Sequence, residues 1–258
     1  MPVTWEKTIC APKGILIGAE KSQEWMLGWW YSHYRKYHDL PIAICDFGLS
    51  EQGLKKARQL GTVLDFNKDD LLKIFDLPLC PKKQATWQEL YTGPLQNIHP
   101  IWMLKPFSLM KSPFEKTIWI DLDCEIRGPL DPIFSFINSP SGFTVAPDTA
   151  YYQSVLESRN ELLPGEVIYN SGVIGFRHKS RVIDLWTREL LSNHANYLGD
   201  QDALSRIIHR HRLPIHRMPK QFNARLRDAH DPSMTIIHYV QLCGKMRILE
   251  QMLLQSKG

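Results

Sequence analysis

The first 66 residues alternate between short apolar runs and helix-forming segments, and this alternation limits the fold more than any other feature of the chain. GILIGA (14–19) reads as a strand, followed by polar residues 20–23 and an aromatic-rich helical segment at 25–36. PIAIC (41–45) is a second apolar run and ends at Asp46. Helix formers fill 50–59, and a third strand is expected at 62–66. Strand, helix, strand, helix, strand is the pattern of a parallel α/β sheet. Such sheets bind ligands just beyond the carboxyl ends of their strands, where Glu20 and Asp46 stand.

The pattern continues less regularly. Residues 76–100 hold prolines at 78, 81, 94 and 100 and read as loop, as does 148–164. Residues 102–110 read as a helix, 117–120 and 143–146 as strands, and 167–176 as a turn followed by a strand. Helices are expected at 181–191, 200–209 and 247–254, with a last strand at 235–240. No linker or repeat divides the chain, so residues 1–258 are expected to form one mixed α/β domain, nucleotide-binding in its front half.

Composition narrows the class. With 258 residues, 43% of them apolar, the chain can bury a large core, and it has no apolar run of about 18 residues to cross a membrane. The first ten residues include Glu6 and Lys7 and lack the apolar stretch of a secretory signal. Five cysteines, at 10, 45, 80, 124 and 243, form no C-x-x-C pair, which argues for a reducing, cytoplasmic setting over a disulfide framework or zinc knuckle. The net charge of +4 permits anionic partners without demanding them. The densest basic stretch, HRHRLPIHR (209–217), suits a solvated helix end and loop, or a face turned to acidic membrane or nucleotide phosphate. P-loop, G-x-G-x-x-G and G-x-S-x-G signatures are all missing, so Walker, dinucleotide and serine-hydrolase chemistry lose support.

The chemistry concentrates at Asp121-Leu122-Asp123, directly after the buried strand TIWI. Residues i and i+2 of a strand share a face, and a turn at the strand end makes them converge. Paired carboxylates beside an apolar strand are costly without a cation, and Mg²⁺ or Mn²⁺ suits oxygen ligands; a solvated turn is the plainer reading. Three other places stand out. Asn170-Ser171-Gly172 places an amide and a hydroxyl before an apolar run, in a turn where glycine admits a close neighbour. Asp200 and Gln201 open a helix, where Asp200 either caps it or faces a ligand. His238, inside TIIHYV, is either a core histidine or a metal ligand, and Gly244-Lys245 beyond it can approach a diphosphate.

With these residues in view, the chain resembles the GT-A glycosyltransferases of the family-8 type, which includes glycogenin and bacterial lipopolysaccharide galactosyltransferases. WIDLDCEIRGPL, YNSGVIGF, GDQDAL with the later QFNA, and IIHYVQLCGK resemble that family's signatures, in its order. They span residues 118–245, about half of the chain; the front half matches only in its α/β pattern. The family's final motif differs here, since Gly244 comes six positions after His238 and Met246 follows Lys245.

The resemblance implies a GT-A mixed sheet and transfer of a hexose from a nucleoside diphosphate sugar, such as a UDP-sugar, to an acceptor, with retention. It implies Mn²⁺ or Mg²⁺ held by Asp121, Asp123 and His238, with Asp121 also near the ribose. Gly244 and Lys245 would hold the diphosphate, Lys105 would reach the donor, and Ala19 and Glu20 would lie near the base. Asn170 and Ser171 would line the sugar pocket, with Asp200 and Gln201 beside the anomeric carbon. The acceptor is a glycan, a lipid-linked molecule or a protein; no nucleic acid is expected, and the basic stretch allows a peripheral membrane contact. A nucleotidyltransferase and a non-catalytic nucleotide-sugar binder are the alternatives. GAEKSQEW, with one glycine, argues against the first, and the intact metal set argues against the second.

Overall fold

Apolar residues in the first and fourth strands alternate between two cores. In the computed structural model, Ile15, Ile17, Ile118 and Ile120 join a cluster with Trp30 and Tyr34, while Leu16, Trp119, Ile174 and Phe176 join a second with Trp186. A sheet covered on both faces needs this continuous apolar sequence. The structure describes residues 4–65, 68–76, 78–90 and 99–255.

In chain order, β1 (Ala11–Ala19), α1 (Leu27–Tyr34), β2 (Ile42–Asp46), α2 (Glu51–Leu60) and β3 (Thr62–Leu64) form the expected front unit. There follow α3 (Lys68–Phe75), α4 (Pro81–Leu90), α5 (His99–Met103), α6 (Lys105–Leu109), β4 (Phe114–Ile120), β5 (Cys124–Ile126) and α7 (Asp131–Phe136). The rear half holds β6 (Phe143–Pro147), α8 (Ala150–Ser158), β7 (Tyr169–Arg177), α9 (Arg181–Asn193), α10 (Asp200–Arg210), β8 (His216–Arg217), β9 (Ala224–Arg225), β10 (Ile236–His238) and α11 (Gln241–Gln255).

Seven strands make one mixed sheet in the order β3-β2-β1-β4-β7-β6-β8, and β5, β10 and β9 make a small second sheet. β1 runs parallel to β2 and β4, whereas β7 is antiparallel to β4 and to β6. The carboxyl ends of β1, β4 and β6 therefore meet the amino end of β7 at one edge.

Several expected elements are corrected. The stretch 76–100 is not all loop: Pro81 opens α4, where its missing N–H costs nothing. Among its described side chains only Trp87 is fully buried, so no apolar stripe marks α4 in the sequence. Ion pairs hold it instead, Lys83 to Glu161 and Arg159 to Glu89. Residues 91–98 lie outside the described residues, as does Phe66 of the third strand. The 148–164 stretch contains α8, capped by the Thr149 hydroxyl, which accepts from Tyr152 N–H at 3.1 Å. The expected helix at 102–110 is two short ones broken at Leu104, and the last strand covers only 236–238. Asn170-Ser171-Gly172 is not a turn but part of β7: Val145 pairs with Ile174 and the next residue, Ala146, with Asn170. Residues 171–173 bulge from the β6 ladder, as strands do where a side chain must be re-aimed. Finally, α11 begins six residues before the expected helix, so Gly244 and Lys245 lie within it.

Candidate active site

Asp121 leaves β4 with its N–H donating to Gly172 O at 2.8 Å, and a turn returns Cys124 N–H to Asp121 O at 3.1 Å. Because β4 ends at Ile120, Asp121 and Asp123 are related through this turn and not along a strand face; Trp119 Nε1–H donates to Asp121 Oδ1 at 2.6 Å. Lys105, the buried first residue of α6, puts Nζ 3.1 Å from Asp121 Oδ1 and 3.2 Å from Oδ2. The same ammonium donates to Ser171 Oγ at 3.0 Å and Ser171 O at 3.2 Å, and stands 3.5 Å from Asp200 Oδ2. Ser171 Oγ–H in turn donates to Asp200 Oδ2 at 2.7 Å.

Asp200 is the first residue of α10, with Gly199 at the cap position, so its carboxylate is not the helix cap. Trp186 of α9 fixes it by donating Nε1–H to Asp200 O at 2.9 Å.

His238 completes the centre. Its Nε2 lies 3.2 Å from Asp123 Oδ1 and 3.9 Å from Asp121 Oδ2, and its Nδ1 lies 3.1 Å from Asn170 Oδ1 and 3.0 Å from Asn223 Oδ1. Both amides are oriented by their other partners. Asn170 Nδ2 donates to Asp148 Oδ2 and Gln201 Oε1, each at 3.1 Å, and Asn223 Nδ2 donates to Asn170 Oδ1 at 2.8 Å. Two acceptors keep a proton on Nδ1, so Nε2 is the nitrogen turned toward the aspartates and the one a metal would take. Gly172 gives the imidazole its room, since a Cβ there would stand 2.1 Å from His238 Cε1. The close neighbour anticipated for this glycine is a protein side chain.

Lys245 Nζ lies 2.9 Å from Asp123 Oδ2. Burial pushes the Asp123 carboxyl up, but Lys245 and His238 outweigh it and hold it far below the usual carboxylate range. At Asp121 burial is the largest influence and raises the carboxyl, against the pull of Lys105. Burial works against the charge on both lysines, yet the aspartates beside them raise Lys105 and Lys245 above the ordinary lysine value.

The donor set suits a divalent cation. Among the described residues, ligand atoms of Asp123, Cys124 and His238 lie within 4.8 Å of one another. The Cys124 side chain belongs to an apolar core, and burial raises its thiol well above the usual range, so it stays protonated and is a poor partner for a hard ion. Asp121 Oδ2, on the His238 side, is the better second oxygen.

The structure therefore brings together Lys105, Asp121, Asp123, Asn170, Ser171, Asp200, Gln201, His238 and Lys245. Ala19 ends β1 opposite Asp46 at the same sheet edge. The Glu20 carboxylate is turned onto Ser22, accepting from its N–H at 2.8 Å and from its hydroxyl. Gly244 sits against backbone: a Cβ there would be 2.2 Å from Tyr239 O. Three participants escaped the sequence reading. Asp148, just past β6, receives Arg225 and Thr149 N–H on Oδ1, and Asn170 and Gln201 on Oδ2. Asn223 directly precedes β9, and Arg225 ends it. Asp148 carried the same signal as Asp121, a carboxylate directly after a strand; Asn223 carried only the QFNA motif, and Arg225, the residue after that motif, carried none.

No family model and no curated protein sequence matches this chain. Solved structures do. The galactosyltransferase LgtC, solved with donor and acceptor sugar analogues, superposes over 92% of this chain and 94% of its own with TM-score 0.64 and 13% identity. The fold is the GT-A glycosyltransferase fold. Mouse xyloside xylosyltransferase 1 shares the GT-A fold over 88% of this chain and 97% of its own, at TM-score 0.55 and 16% identity. The bifunctional glycosyltransferase WbbM shares it over 92% of this chain and 47% of its own, at TM-score 0.57 and 13% identity. Among the described residues of this GT-A chain, no helix is long and apolar enough to cross a membrane.

Proposed function

We propose that this chain is a metal-dependent glycosyltransferase that moves a hexose from a UDP-sugar to an acceptor, with residues 1–258 acting as one domain. The observation that carries the reading is the convergence of Asp121 and Asp123 on His238 Nε2, at the carboxyl edge of a GT-A sheet. Asp121, Asp123 and His238 would hold Mn²⁺ or Mg²⁺, which would offset the charge developing on the diphosphate as the bond to the anomeric carbon breaks. Lys105 and Lys245 supply further positive charge beside those carboxylates. The sugar becomes positively charged as it departs. Asp200 would set a carboxylate near that charge, and Gln201, whose Oε1 accepts from Asn170 at 3.1 Å, would orient the sugar. The family likeness favours retention of configuration. A lipid-linked acceptor would bring the basic 209–217 stretch to an acidic surface.

Calorimetry with UDP and Mn²⁺, followed by a donor panel read by released UDP, tests the reading. The expected result is Mn²⁺-dependent UDP binding and turnover of at least one UDP-hexose, with metal-dependent binding lost in Asp121→Ala and Asp123→Ala. UDP affinity that ignores Mn²⁺ in the native protein, with no donor turned over, would sink it.

A further inference from the structure

Two lysines neutralise the paired aspartates, and they are held differently. Lys105 has Ser171 Oγ, Ser171 O and Asp200 as well as Asp121. Lys245 reaches Asp123 Oδ2 at 2.9 Å, and its side chain has no second hydrogen-bond or ion-pair partner among the described residues. His238 Nε2 takes the other oxygen of Asp123, Oδ1, at 3.2 Å. Both oxygens of that carboxylate are thus engaged. Gly244 lets the backbone beneath Lys245 pack closely on Tyr239, which closes movement toward β10. The four-carbon stem of the lysine is the flexible part that can carry the ammonium elsewhere.

We propose that Lys245 is a built-in counter-ion of Asp123 which a divalent cation must displace, and that the oxygens of a nucleoside diphosphate receive the displaced ammonium. Metal and diphosphate then bind as a coupled pair, and Lys245 carries the coupling. The argument rests on the metal-and-donor reading above. Its physical basis is charge. Asp121, Asp123 and Asp200 face Lys105 and Lys245, so a lone divalent cation either shares Asp123 with an ammonium or leaves that ammonium partly buried without an anion. A diphosphate relieves both penalties at once. Coupling between ligands is reciprocal, so each raises the other's affinity by the same factor.

The test measures Mn²⁺ binding by electron paramagnetic resonance, with and without saturating UDP, in the full chain and in Lys245→Met and Lys245→Gln. The native protein is expected to bind Mn²⁺ at least about tenfold more tightly with UDP than without. Both variants should bind Mn²⁺ alone at least about tenfold more tightly than the native protein does, with the UDP effect shrinking to match. Mn²⁺ alone should raise the melting temperature of the variants and barely move that of the native protein, a readout that survives if the variants are unstable without metal. Native Mn²⁺ binding with UDP, combined with unchanged or weaker binding of Mn²⁺ alone in both variants, overturns the exchange and leaves the metal reading standing. Absence of Mn²⁺ binding to the native protein even with UDP overturns both.

Discussion

The two ring nitrogens of His238 face different surroundings, and the difference makes a buried histidine useful. The carbonyl oxygens of Asn170 and Asn223 hold the proton on Nδ1, which leaves Nε2 free to coordinate. Partners of this kind fix the tautomer and direction of a ligating imidazole, and their loss costs roughly 10- to 100-fold in metal affinity. Asn223→Leu removes one oxygen and the amide that orients Asn170, so Mn²⁺ affinity measured with UDP should fall by about that factor. UDP binding without metal should stay unchanged; if it falls equally, Asn223 serves the pocket rather than the imidazole. Asp200 makes a second case. Its side chain is not the cap of α10, and it receives the Ser171 hydroxyl 3.5 Å from Lys105. Asp200→Asn keeps the shape and removes the charge. Turnover should then drop by about two to three orders of magnitude, as for loss of one preorganised electrostatic contact, with UDP affinity and melting temperature close to native. Native turnover in this variant would reduce Asp200 to an organiser of Lys105 and Ser171.

Elements explain which parts of this site were legible in the sequence. β1, β2 and β4 are buried on both faces and announce themselves as continuous apolar runs, and the residues after β4 and β7's Asn170 and Ser171 could be read from there. The amino end of β7 misled, because its bulge places polar residues and a glycine where a strand ladder should run. α4 was hidden because ion pairs and a single indole dock it, which leaves no helical period. The sequence shortens α11 because Gly244 and Lys245 read as a diphosphate contact beyond the strand, whereas this glycine answers a packing need. That need supports a prediction at the same scale. In Gly244→Ala the new methyl meets the carbonyl of Tyr239 across 2.2 Å of fixed backbone, so the start of α11 must move away from β10. Overpacking of this kind costs roughly 1–3 kcal/mol, which melting curves will resolve. The shift should also carry Lys245 off Asp123 and weaken UDP binding at temperatures where the protein is still folded. A lower melting temperature with native UDP affinity would place Gly244 in the packing alone.

Across the molecule, one charged cluster fastens α4 to the half that carries Asp200 and Gln201. Lys83 of α4 pairs with Glu161 beyond α8, and the Asp202 carboxyl of α10 lies in the field of both. Asp202 is half-buried, but its Oδ1 is enclosed without a hydrogen-bond partner among the described residues. Burial pushes its carboxyl from an ordinary 3.8 up to about 7; the neighbouring Asp200 and Glu161 charges add to the rise, and Lys83 only partly offsets it. The folded chain thus holds this proton more tightly than the unfolded chain does. The stability contributed by Asp202 is present below pH 3.8 and is lost as pH rises through about 7, where the folded protein must carry a poorly solvated charge. Asp202→Asn keeps the neutral shape at every pH. Melting temperatures of native and variant proteins should therefore lie close together near pH 4 and separate as pH rises, with the variant the more stable at pH 8. Because the cluster spans three elements, the gain should also reach α4, seen as slower amide exchange in residues 81–90 of the variant at pH 8. Parallel melting curves from pH 4 to 8 would mean that Asp202 ionises as freely folded as unfolded, and that Lys83 and Glu161 alone fasten α4.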